Sequence, residues 1–442
     1  MFDFMINTKE EIFKLLDKKK QPLYIDIIPS SYRYHPILCK PVALYYRFIG
    51  EDKGYIISIN HPDQPNITLA DILHILKQFN VLYTKDKKNL LYYLNLPKAK
   101  DLQLLRICNG LDKVKVEEDI KLFNFYYTNY SHSKEVNKSI PVTFLYNFYE
   151  EVYSSFKNTF SLEEPENYEL LNTQQVLSFL NIERTGLKID QQKFKDVFNT
   201  SNPDFNVKLD TVYGYYNLYN ITTRPTNAFN SVNFSAIPHI SQHRECFIPH
   251  NDFFVEVDYD GYHIRLLADL VGYSMTPEPA HVQLGKIIYK KEVLSEEEIK
   301  QAKNINFKNL YGTLQEEYKD VEFFRLVNEF SQQLWNEFET NGFIKTPLSG
   351  KIFRKDQTDL YPKKLFNYFI QALETANNIG VLYKLVKYLH YRKSKIVLYI
   401  YDSIIIDFNQ EDGKQCLQEI KNLMSQNFKF PVKIKRSKSL MF

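Results

Sequence analysis

Short continuous apolar runs and helically spaced apolar sets alternate along the whole chain, a pattern that predicts strands and helices mixed in every part of it. In the first 160 residues, Leu23-Tyr-Ile-Asp26-Ile-Ile28 predicts a strand. Ala43-Leu-Tyr-Tyr-Arg-Phe48 and Gly54-Tyr-Ile-Ile-Ser-Ile59 predict a hairpin, and Ile67 to Lys77 a helix. A lysine- and serine-rich stretch, Ser131 to Ser139, interrupts the pattern before an aromatic helix around Phe144 to Phe156. Ser161-Leu-Glu-Glu-Pro-Glu-Asn167 reads as a linker. The helical spacing from Tyr168 to Ile182 ends at Glu183-Arg-Thr-Gly186, and Leu187-Lys-Ile-Asp190 is extended. Further on, two strand-forming runs carry acids: Phe253-Phe-Val-Glu-Val-Asp258 and Lys395-Ile-Val-Leu-Tyr-Ile-Tyr401-Asp402-Ser403-Ile-Ile-Ile-Asp407. A basic helix lies between them. An α/β, or more broadly α+β, multidomain chain without internal repeats is expected.

Composition narrows this picture. A chain of 442 residues with 44% hydrophobic and 25% charged content can bury two or three cores. No apolar run is long enough to span a bilayer and no basic-then-apolar leader is present, so no membrane association is expected and a cytoplasmic setting is. Cys39, Cys108, Cys246 and Cys416 lack paired spacing and read as reduced packing residues. The net charge of +3 is nearly balanced, so its distribution matters more than its total. Bases collect in Lys300 to Lys308, Lys351 to Arg354, Lys363-Lys364, Tyr391 to Lys395 and Lys433 to Lys438, which favours a phosphate-bearing partner. Thirty-three Tyr and thirty-three Phe, beside many Lys, Asn and Ile, point to an AT-rich coding genome.

Ser295-Glu-Glu-Glu298 is a capping box that should start the basic helix, and Gly312 can end it. Within it Lys303, Phe307 and Tyr311 fall at i, i+4 and i+8, one face about 12 Å long. That face offers a cation for a triphosphate, a ring for a base or sugar, and a second ring a turn further on. By itself it reads sooner as an amphipathic helix with two core aromatics and a solvated lysine. The flanking acids change the balance, because two carboxylates on adjacent strands, Asp258 and Asp402, can hold a pair of Mg2+ ions for in-line attack on a phosphate.

Asp258-Tyr-Asp-Gly-Tyr-His263-Ile-Arg265-Leu-Leu-Ala268 resembles the first polymerase motif of the family A DNA polymerases, the bacterial polymerase I group and its phage relatives. The Lys-x3-Phe-x3-Tyr-Gly helix resembles their second motif, and Tyr401-Asp402-Ser403 stands at their third, usually His-Asp-Glu. Thr223-Arg224 through Asn233-Phe-Ser-Ala-Ile237-Pro238, Ala280-His281, Asn367-Tyr-Phe-Ile-Gln371 and Ile182 to Asp190 follow the family's order as well. The resemblance covers residues 170 to 442. It implies a ribonuclease H-like, exonuclease-type domain over 1–160, followed by a right-hand polymerase. That polymerase would have a short thumb (161–222), a first part of the palm (223–280), fingers (281–345) and a second part of the palm (346–442). By the same resemblance Asp258, Asp402 and the Tyr259 carbonyl would hold two Mg2+, with Mn2+ able to substitute. Lys303, His281 and Lys300 would grip the triphosphate of a deoxynucleotide, with Lys303 as proton donor to pyrophosphate. Phe307, Tyr311 and His263 would border the nucleotide, and Arg224, Asn367, Gln371, Lys363 and Tyr401 would contact primer-template DNA.

The departures carry information of their own. His263 stands where the family has the glutamate that blocks a 2′-hydroxyl, and it has comparable bulk and could bond to Tyr311. Tyr401 and Ser403 leave Asp402 the only acid of its turn, and Ile299 replaces an arginine, with Lys300 beside it. Single-subunit RNA polymerases share the Lys-x7-Tyr-Gly helix and an Asp-Ser third motif; Phe307 and the Thr223 to Pro238 stretch favour the DNA enzyme. A weakly catalytic protein that only binds primer-template DNA is the third alternative. The N-terminal domain resembles the family's 3′-5′ exonuclease emptied of its acids, with Asp26-Ile-Ile28 for Asp-x-Glu, Lys88 near the second aspartate and Tyr146-x3-Glu150 for the last motif. Proofreading is therefore not expected. The thirty or so residues between Asp190 and Thr223 predict a reduced thumb, hence distributive synthesis or a processivity factor or other replisome protein as partner. A compact polymerase of this kind suits a phage, working in host cytoplasm.

Overall fold

The computed structural model describes residues 3–31, 34–62, 64–114, 141–198, 207–227, 232–238, 241–356, 359–426 and 429–442. The Ser131 to Ser139 stretch lies outside the described residues, as do parts of the 190–223 and 223–238 stretches. Contacts divide the chain into two compact units, residues 1–219 with 226–237, and residues 220–225 with 238–442.

The first unit is built on six strands: β1 (Met5–Ile6), β2 (Leu23–Pro29), β3 (Pro41–Phe48), β4 (Tyr55–Ser58), β5 (Leu82–Thr84) and β6 (Lys100–Asp101), in the order β1-β4-β3-β2-β5-β6. Every residue of β2 and β3 is buried, so these central strands read as nearly continuous apolar runs, broken only by Asp26 and Arg47, instead of alternating ones. The helices α1 (Leu69–Leu76), α2 (Lys87–Tyr93), α3 (Leu102–Cys108), α4 (Val142–Ser155) and α5 (Val176–Thr185) belong to the same unit. Side-chain caps from Thr68, Asp86 and Asp101 start the first three. The helix ending in α5 stops at Gly186, whose φ of +66° suits a residue without Cβ. Short strands β7 (Leu187–Ile189), β8 (Val207–Lys208) and β9 (Thr211–Val212) follow, β9 pairing with both others.

The second unit holds a four-stranded antiparallel sheet of β10 (Phe253–Tyr259), β11 (Lys395–Ile400), β12 (Ser403–Phe408) and β13 (Val432–Ser437), in the order β11-β12-β10-β13. Its helices are α6 (Tyr262–Leu270), α7 (Ala280–Tyr289), α8 (Glu296–Tyr311), α9 (Glu322–Asn341), α10 (Pro362–Leu389) and α11 (Gly413–Ser425). Ile264 and Leu267 of α6, Leu284 of α7, Phe323 and Val327 of α9, and Leu365 and Phe369 of α10 form one buried cluster. Truncating a ring such as Phe369 to alanine there costs about 3–5 kcal/mol. The capping box at Ser295 and Glu298 is formed, and α8 ends at Gly312, where a Cβ would lie 2.4 Å from the Lys308 carbonyl oxygen. Among the described residues no helix is long and apolar enough to cross a membrane. All four cysteines are buried, and none is in a disulfide.

Candidate active site

The central strand β10 and the hairpin β11–β12 bring the two predicted acids together. Asp258 pairs in register with Ser403, and Ile400 with the same Ser403, so Tyr401-Asp402 is the two-residue loop of the hairpin, beside Asp258. Tyr401 takes a left-handed φ of +57°, which costs a non-glycine residue roughly 1–2 kcal/mol. Local strain of this kind concentrates at functional loops. Burial pushes the Asp258 carboxyl up to about 6, helped by the charge of Asp402 and then of Glu256. Asp402 is raised by burial and next by Glu374.

On the other side of β10, Lys433 and Lys435 of β13 stand opposite Asp258 and Glu256. Lys435 lies 3.3 Å from Glu256, and Lys433 pairs with Asp260 at 2.5 Å, so neither is committed to Asp258. Directly opposite residues share a sheet face, which puts Ser403 on the Asp258 face. Ser403 is 8% exposed and its Oγ has no hydrogen-bond partner among the described residues. Two mutually repelling carboxylates and an unpartnered hydroxyl form a set of hard oxygen donors that fits Mg2+. Among the described residues no group of three or more His, Cys, Asp or Glu side chains is arranged for a metal. Mg2+ commonly takes only one or two carboxylates and completes its shell with water and phosphate oxygens.

The first motif also builds the next wall of the site. Gly261 has a φ of +58°, and a Cβ there would lie 2.6 Å from that of Ala280. The close approach lets the Ala280 N–H donate to the Asp260 carboxylate at 2.8 Å, capping α7. His281 follows in the first turn. Its Nδ1 is 3.0 Å from the Asn306 amide, and burial, then the Lys303 charge, pulls it down to about 4, so it is neutral at pH 7. Its ring is 5.7 Å from that of Phe307, which stacks on Tyr311 at 5.9 Å. The Lys303 ammonium lies 5.9 Å from the Phe307 ring. Phe307 is 43% exposed, an open aromatic platform. Lys300 stands exposed one turn before Lys303.

From Tyr311 the row continues through polar contacts. The Tyr311 hydroxyl meets His263 Nδ1, His263 Nε2 is 2.7 Å from the Glu374 carboxylate, and Arg224 donates to the same carboxylate at 3.1 Å. The Arg224 guanidinium sits 4.3 Å over the Tyr401 ring. Burial raises the Glu374 carboxyl, but hydrogen bonding and charge from His263 and then Arg224 outweigh it, and Glu374 stays below the usual carboxylate range. The sequence reading brought out every member of this row except Glu374. A signal was available: Asn367, Gln371, Glu374 and Asn378 recur at i, i+4, i+7 and i+11, a polar stripe along one side of α10. Asn367 and Gln371 lie on that stripe. Lys363 sits apart, exposed, and donates to Thr313 at 2.6 Å.

No family model matches the chain, and no curated protein matches it in sequence. Among solved structures it is similar to the POL domain of Pol1 from M. smegmatis, in complex with DNA primer-template and dNTP. The TM-score is 0.69, with 11% identity over 99% of both chains. The chain has the fold of a Pol1 POL domain. At that identity the match speaks for the fold, and the chemistry rests on the residues above.

In the first unit the three positions read as remnants of an exonuclease go to three separate networks. Asp26 is buried and accepts from the Tyr24 hydroxyl, from Thr84 at 2.9 Å and from the Lys85 N–H at 3.2 Å. Lys88, also buried, bonds to Glu183 and the Tyr216 carbonyl and lies 3.5 Å over the Tyr215 ring. Glu150 accepts from Arg47, from Tyr45 at 2.8 Å and from the Gly54 N–H at 2.6 Å.

Proposed function

We propose that the chain is a template-directed DNA polymerase that adds deoxynucleotides to a primer 3′-hydroxyl. The observation that carries this reading is the juxtaposition of Asp258 with Asp402 near the Lys303–Phe307–Tyr311 row, on a chain with a Pol1 POL-domain fold. Asp258, Asp402 and the Tyr259 carbonyl would hold Mg2+. Bound there, the metal would supply activation of the 3′-hydroxyl and neutralisation of the leaving pyrophosphate. Lys303 and Lys300 place positive charge along the triphosphate, and Lys303 is the proton donor to the leaving group. Neutral His281 lends a ring N–H to a phosphate oxygen. Phe307 stacks on the incoming nucleotide, and Tyr311 with His263 borders its sugar. Arg224, Tyr401, Asn367, Gln371 and Lys363 contact the primer-template.

Proofreading is absent in this reading, since Asp26, Lys88 and Glu150 are each engaged elsewhere in the fold and a lysine replaces an acid. The short 190–223 stretch supports distributive synthesis or a clamp-supplying partner. Domain bounds at 160, 222, 280 and 345 are proposed with it, as is action in a cytoplasm, that of the host for a phage. The test is extension of a labelled DNA primer with Mg2+ and either deoxy- or ribonucleotides, beside Asp402→Ala. Extension with deoxynucleotides alone, lost in the variant, supports the proposal. Ribonucleotide synthesis from a duplex promoter would replace it with an RNA polymerase, and tight DNA binding without extension would replace it with an accessory protein.

A further inference from the structure

Glu374 is 1% exposed, in the buried middle of α10, and it is ionised. Breaking a buried charge pair is costly, and an apolar residue would fill the same space without that liability. What the carboxylate does is visible in its partners. An ionised carboxylate only accepts, so His263 Nε2 must carry the proton that it receives. The His263 ring is then fixed in orientation and, in its neutral form, offers the Nδ1 lone pair to the Tyr311 hydroxyl. The other carboxylate oxygen takes the Arg224 guanidinium, which covers Tyr401 in the strained loop beside Asp402. One buried group therefore sets both the His263–Tyr311 edge and the loop that carries a metal-binding acid. Neighbouring amides of α10 tie down the same surroundings, Asn377 on the Tyr262 hydroxyl at 2.5 Å and Asn378 on that of Tyr399 at 3.2 Å.

We propose that Glu374 is the positioning residue through which this chain distinguishes deoxy- from ribonucleotides, by holding the His263 ring as a rigid edge against the sugar. This rests on the polymerase reading above. With the ring fixed and the Tyr311 hydroxyl donated to it, an added 2′-hydroxyl meets a filled edge instead of an adaptable one. Free of Glu374, the ring can turn and make room.

The experiment uses the full chain, with Glu374→Gln, which keeps the shape and removes the charge, and Glu374→Met, which removes both hydrogen bonds. Extension is measured with each deoxynucleotide and its ribonucleotide, and the His263 tautomer is read from ring 15N shifts, assigned with His263→Gln. The unaltered protein is expected to show the Nε2-protonated form. Glu374→Met is expected to mix the tautomers and lower the deoxy-to-ribo ratio of kcat/KM by about tenfold or more. Glu374→Gln should lower that ratio less. Combining Glu374→Met with His263→Ala should lower it no further than His263→Ala alone, because both act through one ring. If Glu374→Met does not fold, the Gln variant and the tautomer of the unaltered protein decide. A ratio unmoved in a folded variant, with both sugars slowed alike, overturns the proposal, as does a mixed tautomer in the unaltered protein. Failure of the polymerase reading looks different: the unaltered protein then extends neither sugar, and the sugar assignment falls with it.

Discussion

In the first unit Asp26 accepts three hydrogen bonds from neutral donors, Glu150 is paired with Arg47, and Lys88 is paired with Glu183. In the second, Asp258 and Asp402 stand side by side, each raised by burial, with the nearest lysines paired to Glu256 and Asp260. Both units bury acids; those named in the first are met by donors of their own unit, whereas Asp258 and Asp402 face each other. A buried acid satisfied from within holds a fold together; acids that repel each other at a half-buried strand end are poised for a ligand.

The comparison can be broken most sharply at the second unit. Asp258→Ala or Asp402→Ala should lower the extension rate on the order of 10³-fold or more, while the melting temperature holds or rises, because each removes half of a repelling pair. Rate assays beside thermal melts check this. Stability is where the first unit should respond. Lys88→Met strands Glu183 in the interior and should cost about 3–5 kcal/mol by urea unfolding, much of it recovered in Lys88→Met/Glu183→Leu, with extension retained wherever the protein is folded. A smaller effect belongs to Lys303→Ala. Losing a charged contact of about 1.5–3 kcal/mol should lower kcat/KM for deoxynucleotides about 10–100-fold in steady-state assays, through kcat as well as KM because the same ammonium is the proton donor.

The smallest effect is a pH dependence. The Asp258 carboxyl is raised from 3.8 to about 6 in the folded protein, so the fold binds that proton more tightly than the unfolded chain does. Its contribution is fully present below pH 3.8 and is lost as pH rises through about 6. Without divalent cations, that loss should lower the melting temperature by about 2–4 °C, tempered by the group's partial exposure. Asp258→Asn should flatten the slope, and Mg2+ should oppose it above pH 6.

Much of this site is legible in the sequence because its parts are local. The capping box, the i, i+4, i+8 row and the two acid strands each depend on residues within a turn or a strand of one another. The residues that escaped are those whose partners are remote. Glu374 meets His263 from 111 positions away and Arg224 from 150, contacts that no helical period announces. The pairing of β13 with β10 is similar: Lys433 to Lys438 read as a basic tail, and only the register sets Lys433 and Lys435 across from Asp258 and Glu256. Asp260 carried no role in the sequence reading, and tertiary packing sets its carboxylate on the Ala280 N–H at the start of α7. The 28 residues of α10 show in the sequence only as a short helix around Asn367, because the helix is buried and its apolar residues keep no single face.

One gel tests both sides of the comparison together. A labelled primer with a matched or mismatched 3′ end, on a DNA template with Mg2+, is incubated with and without deoxynucleotides, using the unaltered protein, Asp402→Ala and Asp26→Ala. The account predicts that the unaltered protein and folded Asp26→Ala extend the matched primer, that Asp402→Ala does not, and that no protein shortens the mismatched one. Trimming of the mismatched end that disappears in Asp26→Ala, or extension that survives in Asp402→Ala, would contradict it.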